Sequence, residues 1–115
     1  MEKSELDVYS RDLRIIADAY GLSVMLGQLS EEMAELIQVI CKINRKRDGG
    51  ISVRKTDEEL RSNLLEELAD VKQVLDKIIY LMNNEEVIKT IAIRKIQRTF
   101  SLDDRFRKDV NLYRE

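Results

Sequence analysis

Residues 22–44 read LSVMLGQLSEEMAELIQVICKIN, and this stretch decides the fold. Leu22, Leu26, Leu29, Met33, Leu36, Ile40 and Ile43 recur at spacings of 4-3-4-3-4-3, the seam of a helix that packs along another helix. A partner stands further along the chain, where Leu60, Leu64, Leu68, Val71, Leu75, Ile78 and Met82 repeat as 4-4-3-4-3-4. Thr56 followed by Glu59 is a capping box and starts this second long helix. Between the two, residues 45–55 read RKRDGGISVRK, and Gly49-Gly50 within a basic cluster marks a loop. An 11-residue connection of this kind permits an antiparallel hairpin.

Shorter elements flank the hairpin. Leu6, Leu13, Ile16 and Tyr20 predict a leading helix over 6–20 that stops near Gly21. Asn83-Asn84 ends the third helix, and Asn84 is placed to cap a fourth over 85–100, with Glu85 and Glu86 in its first turn, where the helix dipole favours acids. Ser101 with Asp104 offers a start for a last turn, and residues 101–115 read as a polar tail or short helix after a single domain over 1–100. The chain has 115 residues, no Pro and four Gly, which points to an all-α protein with one core. A bundle this small gains from self-association.

Composition also narrows function. The net charge of −2 argues against a dedicated nucleic-acid binder. With no long apolar run and no leader-like N-terminus, a cytoplasmic protein without a membrane partner is expected. The single Cys41 lies among aliphatics and reads as a small buried residue, and Tyr20 and Tyr80 read as core.

Five acids stand apart from the rest. Glu31, Glu32 and Glu35 on the second helix, and Glu67 and Asp70 on the third, have no Lys or Arg three or four residues away. Surface acids on helices usually have such partners. No basic residue occurs between Ile15 and Cys41, although 20 of the 115 residues are Lys or Arg. The like charges repel, and a divalent cation would neutralise them. A donor set of carboxylates in a chain without His selects Mg²⁺ or Mn²⁺ over zinc or copper, and removes the Glu-x-x-His element of a di-iron bundle.

The pattern EExxE on one helix and ExxD on the next, within LSEEMAELIQ and NLLEELADVKQVL, resembles the MazG-like, all-α nucleotide pyrophosphohydrolases. Gly21 and Gln28 ahead of the first motif, the string EELADV and the closing NEEVIKTIAIRKIQRT extend the resemblance over residues 12–100. The 31 residues between Glu35 and Glu67 are more than that family's usual connection, with the surplus in the basic loop. The resemblance implies a helical hairpin with flanking helices, a four-helix bundle completed as a homodimer or homotetramer. It also implies Mg²⁺-dependent cleavage of a nucleoside triphosphate between its α- and β-phosphates. Glu32, Glu35, Glu67 and Asp70 would then hold the metal, and Glu31 or Glu32 would position or deprotonate water. Gln28, Lys95 and Arg98 would contact substrate, followed by Arg94 and the loop residues Arg45, Lys46, Arg47, Arg54 and Lys55. Two other classes fit the residues alone: a non-catalytic helical interaction module with an acidic face, and a nucleic-acid accessory using the basic loop.

Overall fold

A computed structural model describes residues 3–49 and 53–106. The described residues form four helices and no strand: α1 Lys3–Tyr20, α2 Leu22–Asp48, α3 Asp57–Met82 and α4 Glu85–Leu102. The all-α expectation holds. Gly50 to Ser52, at the centre of the predicted loop, and residues 107–115 of the predicted tail lie outside the described residues.

The helix ends follow local chemistry. Gly21 takes φ +84°, a conformation that suits glycine, and separates α1 from α2 with a single residue. The Gly21 N–H donates to the Ala17 carbonyl (2.8 Å), and the Gly21 carbonyl accepts from Met25 (3.1 Å). At the far end α2 continues past Asn44, where its apolar seam stops, to Asp48. Arg45, Lys46 and Arg47 thus belong to its last turn, where cations suit the helix dipole, and not to the loop. Gly49 at φ 69° then closes the helix. The expected capping box opens α3: the Thr56 N–H donates to Glu59 Oε1 and the Glu59 N–H to Thr56 Oγ1, both at 3.1 Å. Lys46 Nζ spans the connection, donating to the Lys55 carbonyl (2.8 Å) and pairing with Asp57 (3.1 Å).

The hairpin is antiparallel. Met25 packs with Val74 and Ile78, and Leu22, Leu29 and Leu81 close around them. Nearer the loop, Glu32 and Glu35 meet Glu67 and Asp70, and Lys46 meets Asp57, so α3 runs backwards along α2. Helix α1 packs against α3 and α2 and buries Leu13 and Ala17. Two reciprocal bonds join α1 to α3: the Tyr9 hydroxyl donates to Asp76 (3.0 Å), and the Tyr80 hydroxyl to Asp18 (2.9 Å).

Burial follows the seam only in part. Leu60 and Ile78 of the predicted repeat are buried, but Met25 and Val74, both off it, are the largest fully enclosed side chains among the described residues, whereas Leu26, Met33, Ile40, Leu68, Leu75 and Met82 are exposed. A two-helix seam buries one stripe, but at the Gly21 end three helices meet, and their junction encloses Met25 and Val74. Cys41 is exposed, not buried. Tyr20 is exposed as well, and Tyr80 uses its hydroxyl rather than sinking into the core.

The chain divides into two compact units, Met1–Met82 and Asn83–Glu115. In the second, Asn83 takes φ 52° and Asn84 stands at the N-cap of α4 without the side-chain cap bond expected of it. Ser101 and Leu102 finish α4, and the Asp103 N–H donates to the Thr99 carbonyl (3.0 Å). Asp103 then accepts from the Arg105 N–H (2.9 Å) and guanidinium (2.7 Å), which starts one tight turn over 104–106. Among the described residues no helix is long and apolar enough to cross a membrane.

Candidate metal centre

Residues three apart on a helix share a face, so Glu32 with Glu35, and Glu67 with Asp70, each project a pair of carboxylates. The antiparallel hairpin brings the pairs to one level. One carboxylate oxygen from each of the four can be chosen so that all lie within 4.8 Å of one another. Oxygens on opposite sides of a Mg²⁺ or Ca²⁺ ion stand about 4–5 Å apart, so the cluster has the dimensions of a cation site.

Its electrostatics point the same way. Glu32, Glu67 and Asp70 are half-buried and Glu35 is exposed. Oε2 of Glu32 and Oε2 of Glu67 are closed off from solvent and have no hydrogen-bond partner. A buried carboxylate oxygen left unmatched is costly. Burial pushes the Glu32 carboxyl above its ordinary range, and the charges of Glu35, Asp70 and Glu67 push it further. Glu67 is raised by burial first, then by Glu35 and Asp70. No ion pair among the described residues involves any of these four, or Glu31. Protons or a bound cation must supply what the chain does not.

Glu31 is turned one residue away from this cluster. It lines a groove of about 460 Å³ whose walls include Ile16 and Tyr20 of α1, Val24 and Gln28 of α2, and Lys77 of α3. The structure thus places four of the expected residues together and sets Glu31 and Gln28 along an adjoining groove. Lys95 and Arg98 are exposed on α4, which belongs to the second unit. Of the basic residues near the loop, Lys46 is paired with Asp57 and Arg47 with Asp48.

Lys77 is the residue that sequence reasoning missed. It is 7% exposed and follows Asp70 and Val74 on the face that continues to Leu81. Its signal was the 4-3-4 spacing of Asp70, Val74, Lys77 and Leu81, a stripe hidden by the stronger leucine repeat beside it. No family model matches this chain, and no match to it was found among curated proteins or solved structures.

Proposed function

We propose that the chain is a divalent-cation-dependent nucleoside triphosphate pyrophosphohydrolase of MazG-like type. It releases a nucleoside monophosphate and pyrophosphate, as an enzyme of nucleotide-pool house-cleaning in the cytoplasm. The observation that carries this reading is the pair of buried, partnerless oxygens on Glu32 and Glu67 inside a four-carboxylate cluster without internal counter-charge. The resemblance of EExxE and ExxD to that family supplies the reaction.

The residues fit the cation. An all-oxygen donor set in a chain without His suits Mg²⁺, with Mn²⁺ as substitute. When bound, such an ion offsets the repulsion between carboxylates and triphosphate, stabilises charge developing on the leaving pyrophosphate and makes water a better nucleophile. Glu32, Glu35, Glu67 and Asp70 hold it, and the hairpin keeps their spacing rigid. Glu31, outside the cluster and beside the groove, is free to orient and deprotonate water, with Glu32 as the alternative. Gln28, beside the groove, is the proposed substrate contact within this unit. The exposed Met33, Ile37, Leu65 and Leu68 on the hairpin support self-association as a homodimer or homotetramer.

The test is pyrophosphate release from canonical and modified nucleoside triphosphates, with Mg²⁺, with Mn²⁺ and with excess chelator. Metal-dependent release of pyrophosphate and monophosphate is the expected result. No release from the whole panel by folded protein would overturn it and turn the exposed apolar residues and acidic face into a surface for a helical partner.

A further inference from the structure

Lys77 is more than nine-tenths buried, yet among the described residues it has neither an ion pair nor a hydrogen bond. Its nitrogen is not among the partnerless polar atoms sealed from solvent. The stem is therefore packed while the ammonium keeps an opening, and the groove that Lys77 lines provides one. An ammonium at such an opening is hydrated in the free protein and is placed to donate to a ligand that enters the groove. Gly27 also lines the groove, and a Cβ there would meet nothing within 4 Å. An interior glycine weakens a helix without filling space, so the room it leaves is available to a ligand.

We infer that Lys77 is a specificity-determining residue that donates a hydrogen bond to a carbonyl oxygen of the nucleobase, so that the groove between α1, α2 and α3 selects keto-bearing bases over adenine. This rests on the reading of the chain as a nucleoside triphosphate hydrolase. Lys77 lies seven residues beyond Asp70 on the same face of α3, about 10 Å along the axis, so it reaches the nucleoside of a substrate whose phosphates sit at the carboxylates. Ile16, Tyr20, Val24 and Met25 offer apolar walls to the flat faces of a base. Phosphate would meet those apolar walls with Lys77 as the one cation lining the groove. Gln28 carries both a donor and an acceptor and meets the ring N–H beside the carbonyl. Uracil, thymine and guanine present that N–H and carbonyl pair, and adenine does not.

The test takes the full chain in Mg²⁺ as wild type, Lys77→Met and Lys77→Gln. It reads calorimetric binding of non-hydrolysable α,β-imido analogues of dUTP, dGTP and dATP, alongside pyrophosphate release from the natural triphosphates. Wild type should bind the dUTP and dGTP analogues at least about tenfold tighter than the dATP analogue. Lys77→Met should erase that preference without changing dATP-analogue binding, and Lys77→Gln, which keeps a donor, should restore part of it. Unchanged helicity and a little-changed melting temperature are expected in Lys77→Met, because methionine keeps most of the packed stem. Equal weakening of all the analogues would make Lys77 a phosphate contact and overturn the inference, as would no weakening or a wild type without base preference. Pyrophosphate release with an unaltered base ratio in Lys77→Met sinks this inference alone. Absent release with keto-selective binding that Lys77→Met abolishes sinks the hydrolase alone, and failure of every analogue to bind sinks both.

Discussion

The α2–α3 hairpin has two stretches built from similar heptads and used differently. Near Gly21, Met25, Val74 and Ile78 are buried, α1 adds a third layer, and Tyr9–Asp76 and Tyr80–Asp18 bonds hold that layer in place. Toward the loop Leu60 is buried, but Met33, Ile37, Leu65 and Leu68 stand about half exposed, and the stretch between holds four carboxylates. The first stretch is stabilised by burial. The second carries unpaired charge that opposes folding until protons or a cation arrive. Stability and proposed chemistry are thereby separated along one pair of helices.

The sharpest break of that contrast is chemical. Glu35→Gln or Asp70→Asn should reduce pyrophosphate release to background while the circular dichroism spectrum stays helical and the melting temperature is kept or raised. Collapse of helicity in both variants would show that the carboxylates support the fold rather than a site.

Next in size is a substitution of the same residue type at both stretches. Met25→Ala should cost about 2–5 kcal/mol in denaturant unfolding, because Met25 is 1% exposed. Met33→Ala, at 47% exposure, should stay within about 0.5 kcal/mol in dilute protein. Equal losses would mean that the exposed stretch is covered by a second copy under the assay conditions, and sedimentation would reveal it.

Metal should act on the charged stretch alone. Saturating Mg²⁺ or Mn²⁺ at a hundredfold excess over Kd adds about 2.7 kcal/mol to stability, read as a rise in melting temperature that Asp70→Asn removes. A rise that persists in Asp70→Asn would place the ion elsewhere.

The smallest effect compares acids of opposite sign. Glu32 and Glu67 have raised native pKa values, so the folded, metal-free chain holds their protons more tightly than the unfolded chain. That contribution favours folding below the ordinary carboxylate range and is lost as pH rises through their native values. Glu59 is the reverse case: the backbone hydrogen bond from Thr56 holds its pKa down. Its contribution is present above the ordinary range and is lost as pH falls through the lowered value. Thr56→Ala should cost about 1 kcal/mol at neutral pH and flatten the acid limb of the stability curve. Glu67→Gln should instead stabilise the metal-free protein most at neutral pH. Melting temperatures of both variants from acid to neutral pH measure this, and the same slope in both would undo the distinction.

Much of this architecture is readable from single residues. Gly21, the Thr56–Glu59 box and Asn83-Asn84 punctuate the helices where the structure does, because caps and glycine turns act within a few residues. The apolar repeat stops at Asn44, while the basic turn continues the helix to Asp48, favoured by the dipole and by the Lys46 contacts with Lys55 and Asp57, which a seam does not signal. The acid set was legible for a local reason too: missing partners at three and four residues can be counted along a helix.

By itself, then, the chain determined its helices and the pairs of carboxylates that share a face on each, since these depend on spacing within one or two helical turns, while its 11-residue connection only permitted the antiparallel hairpin. Only the tertiary structure decided that the off-seam Met25 and Val74 join Ile78 in the core, that Cys41 faces solvent, that Glu31 leaves the cluster for the groove, and that the Lys77 stem is packed with no partner for its ammonium among the described residues. Those outcomes depend on where a third helix lies against the pair. Helix period defines a face, but burial and charge compensation are properties of what that face meets.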